Sequence, residues 1–170
     1  VVDGNVYAAP LAVDSLALFY NKDLLNSAGL ANPPKTWEEF NSAVTKLTVK
    51  DDESNIIRAG AAIGTAKNIN RSIDILMALM LQSGAKMTSS DNLTATFDQS
   101  VSLASGQSFK PGEEALVYYT NFAKPQKVVY TWNDYQHYSI DAFVEGKTAM
   151  MFNYSYQLPV IRSRAPHLNF

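Results

Sequence analysis

"SIDAFVEGKTAMMFNYSYQLPVIRSRAP", residues 139–166, holds three structural signals in a row. Ser139, an apolar-spaced run and then Gly146 predict a short helix, with Ser139 as its N-cap and the glycine as its C-cap. "TAMMF" (148–152) is apolar after its threonine, the pattern of a strand covered on both faces. "YQLPVIRSRAP" predicts a second helix. Helix, strand and helix in such quick succession indicate an α/β domain. At the mouth of the strand the chain places Asn153, Tyr154, Ser155 and Tyr156, which are polar and aromatic where the apolar run stops.

The flanking sequence repeats the alternation. "NVYAAPLAV" (5–13) and "LALFYN" (16–21) read as strands, with Pro10 putting the first at an edge or a bend. "KDLLNSAG" (22–29) is a short helix ending at Gly29, and "NPP" (32–34) a rigid connector. Thr36 with Glu39 makes a capping box for a helix through Phe40, Val44 and Leu47. "IIRAGAAI" (56–63) is β-like, and "GTAKNIN" (64–70) is a polar loop. "RSIDILMALMLQ" (71–82) is apolar nearly all round, which predicts a buried helix stopped by Gly84. "LTATF" (93–97) is a candidate short strand. Pro111, early acids and Pro125 bracket another helix, and "LNF" (168–170) reads as the start of a strand.

Composition removes several functions. The 170 residues carry a net charge of −2 and no basic run, which argues against nucleic acid or an acidic membrane surface as a partner. With no cysteine, disulfides, thiolate metal sites and cysteine nucleophiles are excluded. No apolar stretch approaches the ~20 residues of a membrane span. The chain opens on "VVDGNVYAAP", without a start methionine or charged leader, and both ends read as cut from a longer protein.

Chemistry is sparse. His137 and His167 stand far apart without an acidic cluster, so two surface histidines is the better reading, and no metal or cofactor is expected. No phosphate loop, dinucleotide fingerprint or nucleophile elbow is present. Glu113–Glu114 and Asp51–Asp52 sit where caps and turns favour acids. What remains gathers at element ends: Asp14, then Asn68, Asn70 and Arg71 where the polar loop enters its helix, Trp132 in "YTWNDY" (130–135), and Asn153, Tyr154 and Tyr156. Open α/β sheets bind ligands at strand ends and helix N-termini. A flat ring with a polar edge suits a sugar, whose C–H face stacks while its hydroxyls need fixed partners. Tyrosines that simply pack with a wet hydroxyl are the plainer alternative.

Two quoted stretches carry a resemblance. "VYAAPLAVDSLALFYNKDLLNSAGLANPPKTWEEF" (6–40) and "AFVEGKTAMMFNYSYQLPVIRSRAPHLNF" (142–170) resemble, in order, two signatures of the bacterial extracellular solute-binding proteins of ABC importers, the family that includes maltose-binding proteins. The resemblance implies a periplasmic-binding-protein-like (type II) α/β lobe, incomplete, with a central sheet flanked by helices. Residues 1–15 would be a hinge strand entering the lobe, 16–165 a partial second (C-terminal) lobe, and 166–170 a strand returning to the hinge or first lobe. An exposed apolar surface is expected where further helices of such a lobe would dock.

The resemblance also assigns roles. Asp14 matches an acid turned toward sugar hydroxyls. Asn68, Asn70 and Arg71 match a loop facing the cleft, and Tyr156 matches a position that is commonly tryptophan. Trp37 reads as packing. The implied function is capture of a solute, expected to be a carbohydrate, by a monomeric, extracellular or periplasmic, lipid-anchored receptor that hands it to membrane permease subunits. An enzyme is not expected. The rivals are a sensory or adhesion module on the same fold, and a carbohydrate hydrolase built on Asp14, which needs a second acid at roughly 5–9.5 Å across the sugar.

Overall fold

Thr148, Ala149, Met150 and Met151 are all fully buried in the computed structural model, which describes residues 4–103 and 106–170. A strand with no exposed residue must be covered on both faces, and this one lies at the centre of the molecule. In chain order the elements are β1 (Leu16–Tyr20), α1 (Lys22–Ser27), α2 (Trp37–Leu47), β2 (Val49–Lys50), β3 (Ile56–Ala62) and α3 (Ser72–Gln82). They continue as β4 (Val101–Ser102), β5 (Ser108–Phe109), α4 (Pro111–Asn121), α5 (Ser139–Val144), β6 (Thr148–Tyr154) and α6 (Gln157–Arg164).

The main sheet has the order β1-β6-β3-β2. β6 runs parallel to β3 and antiparallel to β1, with Leu16 opposite Tyr154 and Leu18 opposite Phe152. Alternation along β6 therefore puts Phe152 and Tyr154 on one face and Met151 and Asn153 on the other. On the first face α2 buries Phe40, Ala43, Val44 and Leu47, the i, i+3, i+4, i+7 stripe that helical spacing predicts. It lies so close to β3 that a Cβ on Gly60 would come within 2.4 Å of the Val44 carbonyl oxygen. On the second face Phe19 meets Phe143 of α5, with ring centroids 6.5 Å apart.

The Thr36 cap forms as expected, accepting from the Glu39 N–H at 3.2 Å. Glu39 reaches back one residue further than a capping box requires, accepting from the Lys35 N–H at 2.7 Å. Trp37 packs, as expected, with ring centroids 5.5 Å from Phe40 and 5.7 Å from both Tyr118 and Phe152.

Several local expectations are corrected. Residues 6–15 form no strand, and Val6, Tyr7, Leu11 and Val13 are exposed. The apolar pattern there was read as pairing, but among the described residues no neighbouring strand receives it; residues 1–3 of the expected hinge lie outside the described residues. Residues 168–170 also form no strand. Phe170 instead packs 6.3 Å from the Phe19 ring, and the Asn169 carbonyl accepts from the Lys22 N–H. "LTATF" contributes only a single bridge, Thr88 to Ala95. Ser139 is the first residue of α5 and not its cap, which is Tyr138.

Helix α3 is not buried all round. Ile75, Leu79 and Met80 are covered, but Ile73, Met77 and Leu81 form an exposed stripe at i, i+4, i+8. Leu116 and Val117 of α4 are exposed as well.

Candidate functional site

The parallel pair β3 and β6 ends at Ala62 and Tyr154, and the chain leaves both strands into polar turns. Backbone groups released at the carboxyl ends of parallel strands make this the natural place for a ligand. Six of the eight candidate residues meet here: Asp14, Asn70, Arg71, Asn153, Tyr154 and Tyr156.

Asn153 is fully buried and orders the mouth of the strand. Its Nδ2 donates to Asn70 Oδ1 at 3.1 Å, and its Oδ1 accepts from the Tyr154 N–H at 2.9 Å. Asn70 in turn donates through Nδ2 to the Tyr138 hydroxyl at 2.8 Å, while its own N–H is received by Ser139 Oγ at 3.0 Å. The serine expected to cap α5 thus ties α5 to the site loop.

Tyr154 and Tyr156 present near-parallel rings, 20° apart with centroids separated by 6.4 Å. The Arg71 guanidinium lies over both, its Cζ 4.9 Å from the Tyr154 centroid and 5.6 Å from that of Tyr156. A cation in these positions is attracted to the negative ring faces. Arg71 Nη2 also donates to the Tyr156 hydroxyl. That hydrogen bond, more than any other influence, raises the arginine's pKa and lowers the tyrosine's. Burial first, and the Asp74 carboxylate second, push the Tyr154 hydroxyl the opposite way. Tyr156 remains 47% exposed, so part of its ring is open to solvent.

Asp14 holds the turn from the other side. Its Oδ1 accepts from the Ser155 N–H at 3.0 Å, the Ser155 hydroxyl at 2.6 Å and the Ser15 N–H at 2.7 Å. Its Oδ2 accepts from the Tyr156 N–H at 3.1 Å. These donors, the Ser155 hydroxyl foremost, pull the carboxyl from 3.8 to about 2. Sequence placed Asp14 toward ligand hydroxyls; in the fold its first task is to cap the entrance to α6.

A carboxyl depressed by folding stabilises the folded state above its ordinary range and loses that contribution as pH falls through the folded value. Melting curves of wild type and Asp14→Asn should therefore differ near neutrality and converge as pH falls toward about 2. A gap that stays constant down to that pH would mean that these hydrogen bonds do not stabilise the fold.

Two candidates stand one layer further in. Trp132 is fully buried and donates through Nε1 to Asn68 Oδ1 at 2.9 Å. That same oxygen accepts from the Thr65 hydroxyl at 2.6 Å, and Asn68 Nδ2 donates to the Asn133 and Gln136 carbonyls, each at 2.9 Å. Asn68 therefore has every side-chain hydrogen-bonding position filled. Both residues shape the loop and offer a solute nothing in this arrangement, a correction to the roles expected of them. Sequence reading also passed over Asp74 and Ser155. Asp74 sits one turn after Arg71, with its Oδ2 3.8 Å from Arg71 Nη1, and the i, i+3 spacing was the available signal.

Among the described residues no group of three His, Cys, Asp or Glu side chains is placed to hold a metal ion, and no helix is long and apolar enough to cross a membrane.

Comparison with known proteins shows which family the chain resembles. A family model described as bacterial extracellular solute-binding protein matches residues 1–170. Among solved structures, a solute-binding protein of an ABC transporter from Thermotoga lettingae, bound with α-D-tagatose, superposes with a TM-score of 0.68 at 26% identity, covering 90% of this chain and 36% of that one. A binding protein of Brucella abortus is 39% identical over 54 residues, 32% of this chain and 13% of its own length. The sn-glycerol-3-phosphate-binding periplasmic protein UgpB of Agrobacterium fabrum is 47% identical over 47 residues, 26% of this chain and 11% of its own. The chain thus spans about an eighth of those two relatives and just over a third of the Thermotoga structure.

Proposed function

The chain belongs to the bacterial extracellular solute-binding proteins and has the α/β fold of their lobes, and on that premise we propose that it forms one wall of a carbohydrate site serving an ABC importer. The observation that carries the proposal is the ring pair Tyr154–Tyr156 under the Arg71 guanidinium, at the end of two parallel strands. Tyr156 offers an apolar face, and the polar groups of Arg71 and Asn70 lie beside it for hydroxyls. The tagatose carried by the Thermotoga structure is a solute of this type.

The mechanism is differential binding. A solute gripped from two sides binds only the closed form, so it shifts the open–closed equilibrium by the difference of its affinities for the two. A transporter that reads the closed form then receives loaded receptors. Monomeric action, a lipid anchor and contact with permease subunits belong to the same proposal. The hydrolase alternative asks Asp14 to exchange protons, and a carboxyl held near 2 by four donors is poorly matched to that task at neutral pH.

The test is a ligand screen on the full-length protein by thermal shift, followed by calorimetric titration of each hit. A ligand present at 100 times its Kd stabilises the folded state by about 2.7 kcal/mol, so a true sugar ligand should raise Tm clearly. Small-angle scattering should show the molecule contracting with the same sugar. A broad set of mono- and oligosaccharides that moves neither Tm nor the scattering would sink the proposal.

A further inference from the structure

The site has two places that would ordinarily receive an anion, and the protein's own side chains occupy or offset both. One is the N-terminal end of α6, where free N–H groups and the helix dipole favour negative charge. Asp14 stands across its approach, taking the N–H groups of Ser155 and Tyr156, the two residues just before the helix, together with the Ser155 hydroxyl. The other is Arg71, whose planar fork is the usual partner of phosphate and carboxylate. Its Nη2 donates to the Tyr156 hydroxyl, its Nη1 faces the Asp74 carboxylate at 3.8 Å, and its Nε is buried out of a solute's reach. No free edge remains for a bidentate grip. Two carboxylates flank the one guanidinium: Asp74, with its Oδ2 3.8 Å from Arg71 Nη1, and Asp14, hydrogen-bonded to the Tyr156 N–H.

We propose that this site selects an uncharged solute, with Asp14 and Asp74 as the residues that exclude phosphorylated or carboxylated ligands. The inference rests on the reading of the tyrosine pair as the solute platform and narrows its ligand class. Specificity here is partly repulsive: an incoming phosphate would meet two carboxylates, one of them standing across the approach to the helix terminus. A neutral hydroxyl meets no such penalty, since Arg71 Nη1 can donate to it and Asp14 Oδ2, which has a single donor, can accept from it. On this view the short match to UgpB of Agrobacterium fabrum reflects shared fold and not a shared phosphate ligand.

Calorimetric titration of the full-length protein tests this with neutral probes (D-tagatose, maltose, maltotriose and other neutral mono- to trisaccharides) beside charged ones. The charged set comprises sn-glycerol 3-phosphate, glucose 6-phosphate, galacturonate and the phosphorylated or uronate counterpart of every neutral hit. We expect at least one neutral sugar to bind, and every charged ligand to bind at least tenfold more weakly than its neutral counterpart at low salt. In Asp74→Asn, checked for an unchanged melt, that gap should narrow several-fold. A charged ligand that binds as tightly as its neutral counterpart overturns the inference while leaving a solute receptor in place. So does a gap unchanged in a well-folded Asp74→Asn protein, which removes Asp74 from the excluding pair. If neither set binds, the platform reading falls and takes this inference with it.

Discussion

Replacing Trp132 with alanine should cost the fold about 3–5 kcal/mol, the range for removing a buried aromatic side chain from a packed core. The ring is fully buried, and its loss leaves a cavity beneath the loop that carries Asn70 and Arg71. It also removes one of the two donors that Asn68 Oδ1 accepts, in a residue only 7% exposed. A buried acceptor left short of a partner adds a desolvation cost of its own. In a domain of 150–250 residues each kcal/mol moves Tm by roughly 2–4 °C, so the lobe should melt about 10 °C lower. Trp132→Phe should recover part of the packing and none of the hydrogen bond. Urea unfolding of the full-length protein reads the effect as a lower midpoint with an unchanged slope. A stability loss under about 1 kcal/mol, together with lost sugar binding, would return Trp132 to the ligand surface where the sequence had put it.

How far the sequence could be read depended on what each residue's role required. The start of β6 was legible because four apolar residues in a row, Ala149 to Phe152, have few homes other than a doubly covered strand, which then runs on through Asn153 and Tyr154. The α2 cap and its buried stripe were legible because both are local, set by residues within one or two turns. Residues 6–13 and 168–170 have the same apolar look, yet a strand exists only if another strand receives its hydrogen bonds, and local pattern carries no information about the partner. Ser139 failed as a cap for a related reason: its hydroxyl found the Asn70 N–H, 69 positions away in sequence. The pattern in α3 reported that every face is apolar but not that one face lies uncovered.

Most of the residues expected at the site come together, but their local roles differ from those expected. Polar and aromatic residues at the ends of separate elements do converge, since Asp14 reaches Tyr156 and Arg71 reaches the same ring. Sequence could not separate the groups that face outward from those that hold them. Asn68 and Asn70 stand two positions apart in one loop, yet Asn68 has all its hydrogen bonds filled from within while Asn70 sits at the surface layer. Asp14 was expected at the ligand because the family resemblance matched it to an acid turned toward sugar hydroxyls. Its partner is the Ser155–Tyr156 turn, 141 residues on.

Replacing Tyr156 with alanine should weaken sugar binding tenfold or more and leave the fold nearly as stable as before. The ring is about half exposed and lies beside Tyr154, so it contributes a face to the site and little to the core. Aromatic contacts of this kind contribute about 0.5–1.5 kcal/mol beyond their buried area, and truncating an aromatic anchor can cost 2 kcal/mol or more. At 1.4 kcal/mol per factor of ten, 2 kcal/mol is roughly a thirtyfold rise in Kd. The substitution also frees Arg71 Nη2 and uncovers one side of its guanidinium, so the cation loses its fixed position over the platform. Tyr156→Phe separates these effects. It keeps the ring and removes only the hydroxyl that accepts from Arg71, so affinity should fall by a few-fold, short of the alanine loss. Because the ring lies outside the core, both variants should melt within about 1 kcal/mol of wild type. Titration calorimetry with the sugar found by screening, run beside melts without ligand, measures the two quantities independently. Unchanged affinity combined with a large fall in Tm would make Tyr156 a packing residue, and the open face of its ring would then have no part in holding the solute.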